Sequence, residues 1–240
     1  MNINSLLNKI VSQIELNLNE ILSRRYDFTI KVDGSPVTAA DFYVEKFLHE
    51  FLKNTIPDLK FIGEESFDSN KEFDTKGYVA ILDPIDGTEN FCSGLKEWGI
   101  SFGIWQNGLH LGSLLMMPEL GESLMTGEKL ANLHSRITGF SSSFNNEIAT
   151  GIRDAQEYRV TGCAVYNLFN VVRGSFCRFV NPKGAYVWDL LPGVMLALEH
   201  GCEVLIDEKP YYGEFLDPNR KYRVDIRHRY DLHSGEGAKC

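Results

Sequence analysis

The chain has 240 residues, 43% of them hydrophobic and 24% charged, with a formal net charge of −9. That composition is ordinary for a globular protein large enough for one big core or two closely packed lobes. The negative charge argues against nucleic acid or an anionic membrane surface as the main partner, though not against a phosphate substrate, because bound cations invert the local field.

Ile3, Leu6, Leu7, Ile10, Ile14, Leu18, Ile21 and Leu22 recur at helical spacing and predict an amphipathic helix over residues 3–24. Residues 28–32 read as extended, and Asp33-Gly34-Ser35-Pro36 as a turn or mobile loop. Thr38 is placed to cap a helix running to Asn54, with Phe42, Val44, Phe47, Leu48 and Phe51 as its apolar face. Phe61-Ile62 and residues 78–82 predict short buried strands. Residues 99–105 and 109–116 flank Gln106-Asn107-Gly108, a hairpin signal, and a third strand is expected over 123–126. Residues 127–157 are polar, carry Ser141-Ser142-Ser143 and read as loop with short elements.

Further on, 163–172 predicts a buried helix, 175–180 a strand and 181–184 a turn. Residues 188–200 form a second buried helix, in which Pro192 is expected in the first turn. Strands follow at 204–206 and 222–226, and the tail from 233 is small and polar. No internal repeat occurs. Helices and strands alternate without a strict βαβ rhythm, which predicts a layered α/β fold with mixed sheets. An N-terminal lobe over 1–157, a C-terminal lobe over 158–232 and a flexible tail over 233–240 are expected.

The five cysteines, Cys92, Cys163, Cys177, Cys202 and Cys240, are odd in number and lack Cys-x-x-Cys spacing, so free thiols in a reducing compartment are expected. The chain opens without a basic start and continuous apolar core, and no segment has the apolar length to span a bilayer. A cytoplasmic location is the expectation.

The chemistry lies in carboxylates. Asp83-Pro84-Ile85-Asp86-Gly87-Thr88 follows the apolar run 78–82, a strand delivering two carboxylates onto a proline-stiffened turn. Gly63-Glu64-Glu65-Ser66 lies upstream and Trp188-Asp189 downstream, where Asp189 opens a helix. Hard divalent cations such as Mg²⁺ take carboxylate oxygens, and a fold can gather them from distant segments. Two such ions clamp the attacking and leaving oxygens of an in-line phosphoryl displacement, and Gly87 and Thr88 offer backbone N–H groups to a phosphate. Each element also has a bland reading: Glu-Glu and Trp-Asp as surface charge or helix cap, Asp-x-x-Asp-Gly-Thr as a capped turn, Lys31 as solvated, Cys92 as a small core residue. The six histidines show no metal-binding spacing. It is the joint order along one chain that favours a metal-assisted phosphate hydrolase.

In that order the chain resembles the inositol monophosphatase family of Mg²⁺-dependent, lithium-sensitive phosphatases. Its superfamily includes fructose-1,6-bisphosphatases, 3′-phosphoadenosine-5′-phosphate phosphatases and one kind of histidinol-phosphatase. The matching stretches are residues 33–41, 63–66, 83–91 and 188–189. The resemblance implies an αβαβα sandwich, two or three Mg²⁺ per site and, in many members, a homodimer. Glu64, Asp83 and the Ile85 carbonyl would hold the activating metal; Asp83, Asp86 and Asp189 the second; Glu65 a weaker third or its waters. Thr88 with Asp41 would orient and deprotonate the attacking water, with Glu64 completing the catalytic set. The amides of Gly87 and Thr88 would bind phosphate. Lys31 and Asp33 would lie on a loop closing over the site, and Gly162, Cys163 and Lys183 would line the substrate.

The chain departs from the pattern in places. Gly201-Cys202 stands where a glycine pair is usual, the segment between Asp86 and Asp189 is short, and residues 220–240 stop short of the family's final helix. Pro182 stands where inositol-binding members carry a glutamate, while residues 91–99 are similar to the histidinol-phosphatase branch. A small phosphomonoester of a sugar, polyol or histidinol is the expected substrate, with the nucleotide branch as an alternative. A haloacid-dehalogenase-type phosphatase is disfavoured because its two aspartates stand two apart, not three. A non-catalytic binding protein on the same scaffold is the remaining alternative, and against it none of the matched positions is lost.

Overall fold

The computed structural model describes residues 2–70, 73–131, 133–143 and 145–228; the tail expected over 233–240 lies outside them. Helix α1 (Ile3–Ser23) buries Leu6, Leu7, Ile10, Ile14 and Ile21, and Asn2 caps it by accepting the Ser5 N–H. A small hairpin, β1 (Phe28–Ile30) with β2 (Pro36–Thr38), leads into α2 (Ala39–Thr55). Thr38 caps α2 as expected, its hydroxyl accepting the Ala40 N–H while Asp41 accepts the Thr38 N–H. The inner face of α2 runs Ala40, Val44, Leu48, Leu52, at intervals of one helical turn. Phe42 is out of phase with that row and 53% exposed, so it leaves the predicted apolar face.

The first sheet has the order β3-β4-β5-β6-β7, from β3 (Lys60–Gly63), β4 (Tyr78–Asp86), β5 (Gly99–Gln106), β6 (Leu109–Met117) and β7 (Glu122–Met125). The predicted hairpin joins β5 to β6, and Asn107 and Gly108 both adopt positive φ, at 52° and 77°. A short helix, α3 (Thr88–Cys92), follows β4.

Residues 127–157, expected as loop with short elements, contain β8 (Ile137–Phe140), α4 (Asn146–Asp154) and the start of β9 (Glu157–Val160). After them come α5 (Ala164–Arg173), β10 (Arg178–Ala185), α6 (Val187–Glu199), β11 (Glu203–Ile206), β12 (Lys209–Pro210) and β13 (Tyr222–Arg227). The second sheet has the order β12-β11-β13-β10-β8-β9. Residues 137–160 therefore pair with the C-terminal strands, ahead of the division expected at 157.

Helices α1 and α2 cover one face of the first sheet, over Ala80, Leu82, Phe102, Ile104 and Leu114. Its other face, with Val79, Ile81, Trp105 and Leu115, packs on α5 and α6, and these pack in turn on Phe179, Val204, Val224 and Ile226 of the second sheet. On β8, Gly139 meets Asn167 of α5, whereas Phe140, next along the strand, meets Gly151 of α4. The layers are thus α, β, α, β, α, the expected sandwich.

Two turn assignments are corrected. Residues 181–184 lie within β10, where the pairing with β13 shifts register between Asn181 and Ala185. Pro192 sits beyond the first turn of α6; it is accommodated against Gly103 of β5, where a side chain would meet the ring at 3.2 Å. Cys92 and Cys163 are free thiols, but Cys177 is disulfide-bonded, against the expectation of free thiols throughout. No helix among the described residues is long and apolar enough to cross a membrane.

Candidate metal centre

Strand β4 does not end before its carboxylates. It carries Asp83, Pro84, Ile85 and Asp86 to the edge of the first sheet. Side chains three apart on a regular strand point to opposite faces. Here Asp83 pairs with Ser101 and Asp86 with Gly99, so β4 spends one more residue than β5 over the same stretch. This bulge turns both carboxylates to one site, and Pro84 suits it because a bulged residue needs no N–H for the ladder. What was expected as a turn is a bulged strand end.

Asp189 reaches the same place from the start of α6, its Oδ2 accepting the Tyr186 N–H at 2.7 Å. Carboxylate oxygens of Asp83, Asp86 and Asp189 lie within 4.8 Å of one another. Asp83 is fully buried, and its Oδ2 has no hydrogen-bond partner among the described residues, while Oδ1 accepts the Ile85 N–H at 3.0 Å. Burial, then repulsion from Glu64, Asp86 and Asp189, pushes the Asp83 carboxyl well above the usual range. Asp189 is pushed up by burial and by Glu64 and Asp86. Burial lifts Asp86 to about 6, although the Cys163 thiol and the Val165 N–H stabilise its charge. Three crowded carboxylates with an orphaned buried oxygen are costly without a counter-charge. The donor set, all oxygen, fits a hard divalent cation.

Glu64 and Glu65 lie in the turn after β3; Glu64 is near enough for its charge to raise Asp83, Asp86 and Asp189, but neither glutamate is in the group whose oxygens meet within 4.8 Å. Lys31, from the hairpin loop, reaches both at 3.0 Å and 2.6 Å. Burial opposes the Lys31 charge, but the two carboxylates outweigh it and hold the ammonium above its ordinary range. Burial likewise raises Glu65, against its bond from Lys31. Asp33, on the same loop, is held low by hydrogen bonds from Ser35.

Gly87 takes a left-handed conformation, φ 79°, ahead of α3, and a Cβ there would stand 2.9 Å from that of Cys163. The Thr88 hydroxyl donates to the Ile85 carbonyl at 2.9 Å and has Asp41 Oδ1 at 3.5 Å. The other oxygen of Asp41 is held by the Thr38 N–H and hydroxyl. Asp41 is fully buried, and burial lifts it to about 7 against those two bonds.

The expected substrate-lining residues fare differently. The Cys163 thiol donates to Asp86 Oδ2 at 2.8 Å, so it supports a carboxylate of the cluster and does not face an open cleft. Gly162 adopts φ 75° and packs on Asn90, which bonds the carbonyls of Glu97 and Thr161. Lys183 is exposed on β10 and, among the described residues, bonded to none of the acidic ones. Two contributors escape the sequence motifs: Tyr186, stacked on Trp188 at 4.6 Å with Lys221 over its ring, and Glu45 on α2, which accepts the Glu65 N–H. The spacing of Glu45 from Asp41, one helical turn, is the only sequence signal for it.

The sequence profile of the inositol monophosphatase family matches residues 5–235. Inositol monophosphatase 1 of Saccharomyces cerevisiae is 49% identical over 237 residues, covering 85% of this chain and 79% of its own. Inositol-1-monophosphatase of Bacillus subtilis is 28% identical over 215 residues, covering 79% and 80%. Among solved structures, an IMPase/NADP phosphatase complexed with Mg²⁺ and phosphate superposes with a TM-score of 0.75 at 18% identity, covering 98% of this chain and 96% of that one. With the fold, the carboxylate cluster and the profile in agreement, the chain belongs to the inositol monophosphatase family of phosphatases.

Proposed function

We propose that the protein is a Mg²⁺-dependent phosphomonoesterase acting on a small soluble sugar, polyol, inositol or histidinol phosphate by direct attack of water. The observation that carries this reading is the meeting of Asp83, Asp86 and Asp189 within 4.8 Å, beside the Thr88–Asp41 pair. Glu64, Asp83 and the Ile85 carbonyl would hold one cation, Asp83, Asp86 and Asp189 a second, and Glu65 would support a weaker third. When bound, Mg²⁺ supplies Lewis-acid stabilisation of the charge that develops on the phosphate and on the leaving oxygen.

The protein's own groups do the rest. Gly87 and Thr88 direct amide N–H groups at the phosphate from the start of α3. Thr88 takes a proton from water and passes its own to Asp41 Oδ1, the oxygen that Thr38 leaves free. For this the hydroxyl would turn from the Ile85 carbonyl, which would then be free to hold a cation. Lys31 and Asp33, on the β1–β2 loop, close over the substrate. Lithium inhibits by competing at the Asp83–Asp86–Asp189 subsite. A homodimer in the cytoplasm accompanies this reading, drawn from the resemblance.

Phosphate release tests it, measured with and without Mg²⁺. The substrates are inositol 1-phosphate, histidinol phosphate, 3′-phosphoadenosine 5′-phosphate, fructose 1,6-bisphosphate and simple sugar phosphates. Mg²⁺-dependent turnover of one monoester well above the others is expected, and Asp83→Asn should abolish it because the ligand shared by both cations is lost. A fall in kcat/KM of less than about tenfold in that variant contradicts the assignment. Preference for the bisphosphate nucleotide moves the protein to the nucleotide branch.

A further inference from the structure

Helix α2 brings two buried carboxylates to the site. Asp41 and Glu45 stand one turn apart on its inner face, 0% and 7% exposed. Asp41 serves Thr88; Glu45 faces the other edge of the site. Its Oε2 accepts the Glu65 N–H at 2.9 Å. It also lies directly against Gly63, where a Cβ would come within 2.4 Å of that same oxygen. Gly63 has no positive φ, so close approach alone calls for glycine there. The turn carrying Glu64 and Glu65 is therefore seated on the Glu45 carboxylate. A buried carboxylate beside Glu64 and Glu65 is a poor choice for stability, since it adds a like charge to an acidic cluster. An apolar side chain would fill the volume without that cost. It would leave the half-buried Glu65 N–H unpaired and the turn free to shift.

We infer that Glu45 is a positioning residue for metal binding: it fixes the Gly63-Glu64-Glu65 turn to the helix that holds Asp41, so that the ligands from β3 and the water-activating pair are set by one rigid element. The inference rests on the metal-site reading above. It predicts a specific division of effects. Removing the acceptor loosens Glu64 and Glu65 and weakens cation binding, as loss of a residue orienting metal ligands does by about 10–100-fold. Keeping an acceptor oxygen without the charge preserves binding.

The test is calorimetric titration of Mg²⁺ into the full chain, with melting in EDTA as a check on folding. E45A is expected to weaken Mg²⁺ binding by at least about tenfold, and E45Q to stay within about threefold of the original chain. G63A, whose methyl drives the carboxylate off the turn, is expected to weaken binding as E45A does, and carries the test if E45A does not fold. Folded E45A binding Mg²⁺ as tightly as the original chain overturns the inference. Equal weakening in E45A and E45Q also overturns it, because the effect is then charge and not position. An original chain that binds no Mg²⁺ overturns the metal-site reading itself, and is told apart by failing before any variant is compared.

Discussion

The Thr88 hydroxyl stands between two acceptors, the Ile85 carbonyl at 2.9 Å and Asp41 Oδ1 at 3.5 Å. If it relays the proton of the attacking water, Thr88→Ala should lower kcat by about 10²–10⁴-fold while the Mg²⁺ concentration for half-maximal rate stays put. Thr88→Ser, which keeps the hydroxyl, should retain most of the rate. Steady-state kinetics over a Mg²⁺ series separates the two quantities; a collapse of metal affinity with kcat preserved would make Thr88 a support for the Ile85 carbonyl and nothing more. Asp83, Asp86 and Asp189, whose meeting the structure shows, could be picked out in the sequence because each sits in a short motif beside a glycine, proline or cap, as could Glu64 and Asp41. Glu45 could not: Val44-Glu45-Lys46 reads as any helix with a solvated charged face, and only the fold, which sets its carboxylate against Gly63 and the Glu65 N–H, reveals that it points inward. Cys163 was singled out for the right neighbourhood, but its partner is Asp86, a contact between segments 77 residues apart that no local pattern encodes.

At the scale of elements, the strands and helices with a clear period were readable, and those whose geometry depends on a neighbour were not. The end of β4 looked like a turn because Pro84 follows an apolar run; the bulge opposite β5 is what keeps it in the sheet. β8 was hidden in a polar stretch because only four residues of it pair, and its partners β9 and β10 lie further along the chain. The β5–β6 hairpin was readable from Asn107-Gly108, yet it also holds a group that the sequence left without a role. His110 is hydrogen-bonded with Ser113 Oγ at 2.7 Å and packs on Trp105, and burial pulls it down to about 4 although Glu199 favours its charge. Unfolded, it takes a proton near 6.5. Between these values the unfolded chain binds more protons, so this residue's contribution to stability is present above about 6.5 and is lost as pH falls towards 4. A shift from 6.5 to about 4 corresponds to roughly 3–4 kcal/mol. His110→Gln should remove that dependence: urea unfolding of the two chains should differ in stability at pH 7 and converge, or cross, by pH 4.5. A difference independent of pH would mean that the ring titrates alike in the folded and unfolded chain, as a solvated ring does.

Across the whole molecule, two sheets share the α5–α6 layer, and the acidic site forms where the end of β4, the turn after β3 and the starts of α2 and α6 converge. The fold gathers like charges there, and the consequence is a linkage between pH, Mg²⁺ and stability. Burial lifts Asp41 to about 7 and Asp86 to about 6, and drives Asp83 and Asp189 up as well. In the unfolded chain aspartates ionise near 3.9. Without metal, the folded chain therefore binds more protons than the unfolded one between about 4 and 7. The favourable contribution of these groups is complete below the unfolded value and is lost as pH rises through the folded ones. A bound cation inverts the local field and removes that loss. At a hundredfold excess over its Kd, Mg²⁺ adds about 2.7 kcal/mol to stability. Its effect should grow with pH, because protons compete for the same oxygens at pH 5 and no longer do at 7.5. Melting in EDTA and in saturating Mg²⁺ at each pH measures this directly. The His110 contribution cancels in the difference, since that ring lies on the hairpin and is common to both conditions. The Tm gain should rise from pH 5 to 7.5 in the original chain and largely vanish in Asp83→Asn; a gain that is flat with pH would show that Mg²⁺ binds somewhere other than these carboxylates.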